Sequence, residues 1–455
     1  MPTAYTILFL LLILVAAATW IIPAGSYDYV DGVPVAGTYH PVEQNPQGVG
    51  DVLKAAFSGF YDAVDVCIFI LMVGGFLGVV MKTGAVDAGV GNVIRLLGGR
   101  EKWLIPILML LFGLGGTTYG MWEETMAFYP LLIPVFLAAG YDAVVGISVI
   151  LLGAGAGVIA STVNPFATGI AAGFAGVSLG EGIVLRLLEW VAFEAAAIWF
   201  VMAYAAKVKK NPSKSVVGVG AGKIQVSMDQ QVSFTAKRKV IMALFTLTFL
   251  IMVYAVVPFD EMGLPLPTLG WWFPELSALF LVAGVVIGLI DRMSEEELVE
   301  TYVAGCADLL GVAFIIGISR GITVLMNDGA ITDTVLHWGE QALSGAGAIS
   351  FTLLVFALYL PLTILIPSSS GLATLSIPIV APLGKFAGVG GDLVVTAFQS
   401  ASGLVNIITP TAAVVMGALA LGHVPYDRWV KYVWKLILWF LLLALAFLVA
   451  GVLLG

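Results

Sequence analysis

Residues 103–139 read WLIPILMLLFGLGGTTYGMWEETMAFYPLLIPVFLAA. Two arms of Leu, Ile, Met, Phe and Val flank a polar centre, Gly115 to Thr125, that holds two adjacent carboxylates, Glu123 and Glu124. A membrane span takes about 17–25 apolar residues. This stretch is too long and too polar in its middle for one plain span. We read it as a re-entrant hairpin, entering and leaving on the same side. Non-helical backbone at membrane depth is tolerated only against protein or a watery cavity, so its tip belongs inside the protein. A second such stretch, 350–388, is interrupted at Pro367-Ser368-Ser369-Ser370-Gly371.

The two hairpins belong to a longer repetition. Gly-x-x-Asp occurs at Gly59–Asp62 and Gly305–Asp308, Met-x-x-Gly-Ala at Met81–Ala85 and Met326–Ala330, and Pro-x-x-x-Pro at Pro130–Pro134 and Pro378–Pro382. A polar break ends in proline at Asn164–Pro165 and again at Thr409–Pro410. The offsets are all about 245–248 residues. With 60% hydrophobic and 11% charged residues, against roughly 25% charged in soluble domains, this marks a polytopic all-α membrane protein built from two structural repeats. The 53 glycines suit close helix packing in lipid. A net charge of −9 spread over short loops points to no nucleic-acid partner, and two cysteines, Cys67 and Cys306, are too few for a disulfide framework.

Apolar runs place spans at 3–22, 64–82, 182–206, 237–257, 275–291, 308–326 and 426–454. The longer runs 142–178 and 390–422 read as broken helices. The first repeat is 1–206, the linker 207–236, the connecting helix 237–257, and the second repeat 258–455. The first run lacks a basic leader and a small-residue cleavage site, and is read as a retained span. With the N-terminus inside, 16 of the 20 basic residues fall inside, including Arg95, Lys223 and the other linker lysines. The positive-inside rule then makes that side cytoplasmic, in a bacterial-type inner membrane with the C-terminus outside. The same threading inverts the second repeat. A short surface helix is expected from Glu295, capped by Ser294, with its copy starting near Asp51.

Four polar interruptions at matched places are expected to converge near the midplane. They supply Thr117, Thr118, Gly120, Trp122, Glu123, Glu124 and Thr125, then Ser161, Thr162 and Asn164, then Ser368, Ser369 and Ser370, and finally Ser402, Asn406, Thr409 and Thr411. Proline frees backbone carbonyls, and with Ser161, Asn164, Asn406 and Thr409 these suit a Na⁺ ion. Half-helix N-termini suit a carboxylate. Glu123 and Glu124 either hold a cationic group or a proton, or sit solvated at the tip. Arg320, inside the span 308–326, either anchors a substrate carboxylate or pairs structurally with Glu189, Glu194 or Asp308. Asp62 and Asp308 are read as capping or pairing at helix starts, and His423 as structural. The three histidines, His40, His337 and His423, lie far apart, and no enzymatic or cofactor motif is present.

The opening Met-Pro-Thr-Ala-Tyr, Pro23-Ala24-Gly25, Thr118-Tyr-Gly-Met-Trp-Glu-Glu124 and Ser161-Thr-Val-Asn-Pro165 together resemble the anaerobic four-carbon-dicarboxylate carrier family, in a branch described as candidate basic amino-acid antiporters. The resemblance covers essentially the whole chain. It implies membership of the ion-transporter superfamily, a homodimer, a scaffold, and a transport domain that moves as an elevator. It also implies that the two tips and two breaks hold substrate and cation. Dicarboxylate members carry Ser-Asn-Thr at both tips. Here Thr117-Thr118, Ser368-Ser369-Ser370 and the Glu pair stand instead. The expected activity is secondary active transport of a basic amino acid such as arginine or ornithine, by exchange. The alternative is a Na⁺- or H⁺-coupled carrier of dicarboxylates or related acids.

Overall fold

The computed structural model describes the chain except residues 1–3, 31–32, 87, 90–99, 119, 179, 219–234, 257–258, 260–264, 272 and 455. Most of the expected linker 207–236 therefore lies outside the described residues, as do Arg95 and Lys223. The first half holds α1 (Ala4–Ala18), α2 (Val49–Asp62), α3 (Val64–Lys82), α4 (Leu104–Thr118), α5 (Tyr129–Ala138), α6 (Ala143–Ile159), α7 (Ile170–Ala175) and α8 (Ile183–Lys210). After α9 (Ala236–Val256) come α10 (Phe273–Asp291), α11 (Glu295–Asp328), α12 (Thr332–Leu343), α13 (Ala348–Leu365), α14 (Ser369–Phe386), α15 (Gly391–Asn406), α16 (Ala413–Leu421) and α17 (Tyr426–Leu454). Among the described residues, strands are confined to two small antiparallel ladders, β1 (Gly25–Ser26) with β4 (His40–Pro41) and β2 (Tyr29–Val30) with β3 (Val33–Pro34). Among the described residues, α3, α10, α11, α13 and α17 are long and apolar enough to cross a membrane.

Both expected broken helices break. α6 stops at Ile159 and resumes, through one π-helical turn over Pro165–Gly169, as α7. α15 stops at Asn406 and resumes as α16, with Pro410 in the gap. Proline cannot supply the N–H of a continuing ladder and clashes with the turn before it. The helix expected to start at Glu295 as a short surface piece is instead the first part of α11, one rod of 34 residues. Ser294 does cap it, its Oγ accepting from Glu297 N at 3.1 Å. Glu, Leu, Val and Ala run through 295–313 with no proline, so nothing in the sequence ends the helix.

The contacts fix the course of the chain. α4 runs alongside α6 in the same direction, Gly153 meeting Met109 and Gly157 meeting Gly113. α5 runs against α6, Gly146 meeting Ile133. The two arms of 103–139 are thus antiparallel. α13 and α14 are antiparallel too, with Phe351 against Gly384 and Tyr359 OH on Ser376 Oγ at 2.9 Å. α13 has 18 residues, so its length alone would let it cross a bilayer.

α2 and α3 pack as one interrupted rod, antiparallel to α11. Gly59 lies on the backbone of Gly317, Arg320 and Gly321, and Gly74 on that of Gly305. Midway, Cys67 Sγ reaches Ala313 O at 3.5 Å across a sequence separation of 246 residues. That separation is also the offset between Gly59 and Gly305. A Cβ on Gly305 would lie 2.3 Å from the Gly74 carbonyl oxygen. Gly305→Val therefore forces the rods apart; overpacking costs about 1–3 kcal/mol or more. The expected result is a lower melting temperature and loss of the monodisperse peak in detergent, and an unchanged profile would refute the backbone contact.

Element ends gather into two sets. Lys82 approaches Glu297 at 3.7 Å and Lys237 approaches Asp291 at 2.6 Å. At the opposite end Gly25 N donates to Ala330 O at 3.0 Å, and Asn45 Nδ2 to Asp328 O at 2.9 Å. The outside of the bundle is apolar, with Leu10, Leu14, Leu188, Trp199, Trp439 and Leu442 exposed, which is what helices present to lipid.

Candidate functional site

The gap between the α2–α3–α11 rods and the hairpin–break elements encloses a cavity of about 220 Å³. That is below the roughly 300–1,000 Å³ of sites for drug-sized ligands and suits a molecule of amino-acid size. All four interruptions reach it. Gly120, Trp122, Glu123 and Glu124 come from the first tip, Asn164 from the first break, Ser368, Ser369 and Ser370 from the second tip, and Asn406 and Thr411 from the second break. Arg320 lines it as well, with Asp62 and Asp65.

The first tip is shaped from its sequence. α4 ends at Thr118, Gly120 takes a positive φ of 78°, and the chain turns through a 3₁₀ segment, Glu123–Phe128, into α5. Glycine adopts that φ at no steric cost, and its missing Cβ leaves room for the Asn164 amide, 2.5 Å from where a Cβ would be. Glu124 is buried, and its carboxylate accepts from Trp122 N at 3.1 Å. A solvated tip is thus excluded for Glu124, which folds back to hold the turn. Glu123 lines the cavity beside it, within electrostatic reach of Arg320 and Asp65.

The second tip presents a helix start. Ser368 caps α14 by accepting from Gly371 N at 3.2 Å, so the positive end of an 18-residue helix opens on the cavity. Ala412, Ala413 and Val414 bring the start of α16 to the same space.

Several expected contacts lie behind the lining. Thr117 donates to Ala160 O at 2.8 Å, and Thr162 Oγ1 donates to Thr117 O at 2.9 Å, so this pair welds the tip to the break. Thr118 donates to Leu114 O in its own helix, and Thr125 to Trp122 O. Thr409 bonds Thr411 Oγ1 at 2.8 Å and sits behind it. Ser161 and Ser402 are fully buried off the cavity, their hydroxyls without a partner among the described residues. The carbonyls expected for Na⁺ are partly taken. Ile407 O accepts from Trp429 Nε1 at 3.1 Å, Ile408 O from Tyr426 OH at 2.8 Å, and Asn164 O from Gly169 N at 2.8 Å. Of the four residues expected around Na⁺, Asn164 and Asn406 line the cavity, and Ser161 and Thr409 do not.

Arg320 pairs with none of the carboxylates expected of it. Its Nε lies 3.8 Å from Asp62 Oδ2. Glu189 and Glu194 lie on α8, and Asp308 lines a different space of about 680 Å³ beside Tyr5 and His423. Asp65 was missed from sequence; Asp62, expected to cap or pair at a helix start, is the last residue of α2 and pairs with Arg320. An in-span carboxylate is a functional signal by default, and Asp65, inside the run 64–82, carries it. The cavity therefore gathers four carboxylates and one guanidinium, with two helix N-termini on the guanidinium's side of the charge balance. Among the described residues no group of three His, Cys, Asp or Glu side chains is placed to hold a metal ion.

The chain matches, over residues 1–453, the family described as C4-dicarboxylate anaerobic carrier. It is 35% identical to an uncharacterized protein of Haemophilus influenzae Rd, over 99% of this chain and 97% of that one. It is 30% identical to the Escherichia coli K12 protein named "Putative basic amino acid antiporter YfcC", over 95% of this chain and 92% of that one. The YdaH transporter of Alcanivorax borkumensis aligns over 98% of each chain with 14% identity and a TM-score of 0.44.

Proposed function

We propose, for a chain that belongs to the C4-dicarboxylate anaerobic carrier family, that this multi-pass membrane transporter moves a basic amino acid of arginine or ornithine type, by exchange. The observation that carries the proposal is the charge balance of the cavity, Asp62, Asp65, Glu123 and Glu124 against Arg320. Arg320 and the starts of α14 and α16 suit an α-carboxylate. The surplus carboxylates suit the α-ammonium and a second cationic group. A dianion would meet four negative groups. The name of the Escherichia coli relative points the same way.

The antiparallel pairing of α2–α3 with α11 supports repeats inverted in the membrane, and the antiparallel arms support two re-entrant hairpins. Alternating access then follows from one body moving against the other, of elevator type, in a homodimer of the inner membrane. The N-terminus and linker would be cytoplasmic and the C-terminus outside. The second reading, Na⁺- or H⁺-coupled transport of a C4-dicarboxylate, draws on the family description and on Arg320 with its two helix starts.

Counterflow in proteoliposomes separates the two. Vesicles loaded with unlabelled arginine or ornithine are expected to accumulate labelled arginine transiently. Counterflow with succinate or malate alone would replace the first reading by the second. Uptake that neither saturates nor shows trans-stimulation would remove both, since a carrier does both.

A further inference from the structure

α8 is built inside out. Val184, Leu187, Leu188, Val191 and Trp199 are exposed, whereas Arg186, Glu189 and Glu194 are buried against the protein. None of these three lines the substrate cavity. An ionised group in such a place costs several kcal/mol unless it is paired.

Glu189 is 0% exposed. One of its oxygens accepts from Ser400 Oγ at 2.8 Å, and the other has no hydrogen-bond partner among the described residues. The charged group beside it is Arg186, one turn earlier on α8, which in turn lies within electrostatic reach of Asp392 at the start of α15. Glu194 is 2% exposed, and neither of its oxygens has a partner among the described residues. Its carboxylate lies where a Cβ on Gly113 of α4 would be, 2.4 Å from Oε2, and borders a cleft of about 170 Å³ with Leu110 and Trp190. Of the long helices packed on α8, α4 and α6 carry no ionisable residue. The charges of α17, Asp427 to Lys435, meet the other end of α8, where Tyr432 packs on Phe200 and Tyr204.

A carboxylate without a partner does not persist in an apolar bundle, but the neutral acid does. A group held this way exists by taking up a proton and charges only by losing it. Both carboxyls also touch the parts that frame the cavity. Ser400 lies less than two turns before Asn406 on α15, and Gly113 lies just before the first tip on α4.

Resting on the carrier reading, we propose that Glu189 and Glu194 bind the coupling proton, at a place separate from the substrate cavity. Protonation of the carboxylate on one side and release on the other returns the starting state. Arg186 balances Glu189 in its charged form, and the change reaches α15 through Ser400 and α4 through the Gly113 contact.

Glu189→Gln and Glu194→Gln imitate the neutral acid. In proteoliposomes, each variant is expected to lose accumulation driven by an imposed pH gradient while keeping gradient-free exchange at the wild-type rate. Loss of both together, or retention of both, overturns the proposal. Infrared difference spectra of the purified protein between acid and alkaline pH, with no substrate present, give a second readout. A protonated-carboxyl band that the two Gln substitutions remove is expected. Absence of that band overturns the proton assignment whatever the substrate proves to be, whereas its presence with no arginine counterflow would leave the proton site standing and remove only the substrate reading.

Discussion

Glu123→Gln is expected to weaken a basic amino acid by about 10- to 100-fold, the worth of about 1.5–3 kcal/mol for a hydrogen bond to a charged group. A neutral amino acid of similar length should be nearly unaffected, because the amide keeps the shape and loses only the charge. Asp65→Asn should behave alike, since Asp65 faces the same cavity. Glu124→Gln should not. Its carboxylate holds Trp122 N at 3.1 Å, so its loss loosens the tip and lowers transport of both substrates together. Competition binding with arginine and with a neutral analogue measures the split. Equal loss for both ligands at Glu123 would remove it as the cation-binding group.

Arg320→Gln is expected to weaken transport of any substrate that carries an α-carboxylate by about 30-fold. Truncating one member of a desolvated charge pair costs about 2–5 kcal/mol. The lower end applies here, because Arg320 is 23% and Asp62 55% exposed and solvent screens the pair. Arg320→Lys should recover little, since an ammonium cannot grip a carboxylate through two parallel N–H groups. The double variant Asp62→Asn with Arg320→Gln decides between roles. If Arg320 serves only to neutralise Asp62, the double variant regains transport. If Arg320 holds the substrate carboxylate, the double variant stays as weakened as Arg320→Gln.

Much of the frame was legible because it rests on local chemistry. Asn164–Pro165 and Thr409–Pro410 break their helices by the covalent structure of proline. The polar centre 115–125 could not carry an apolar helix to its end, and the helix stops within it, at Thr118. What stayed hidden depends on side-chain direction and on distant partners. Once the backbone leaves the helix no period tells which side chains face inward, so Thr117, Ser161, Thr162, Ser402 and Thr409 looked like contacts and lie off the cavity. Asp62 and Arg320 are far apart in the chain, and only the antiparallel packing of α2 on α11 joins them. Glu189 and Glu194 were weighed only as partners for Arg320. Their burial on α8 shows as an ordinary apolar run, because Val, Leu and Trp face outward beside them.

The glycine contacts between α2–α3 and α11 have a mechanical consequence. Where a Cβ would sit within about 3 Å of opposing backbone, at Gly59, Gly74, Gly78, Gly305 and Gly321, two rods mesh without slack, like the stator of a motor. Asp62, Asp65, Ser319 and Arg320 are mounted on that stator, and Glu123, Asn164, Ser369 and Asn406 on the body facing it. On the proposed elevator reading, a stroke that shows the cavity first to one side and then to the other would shear the site along its own midline. Arg320 would stay behind as a fixed post while Glu123 slides past it. A carboxylate held at that post would then have to be handed to the starts of α14 and α16 before it could travel.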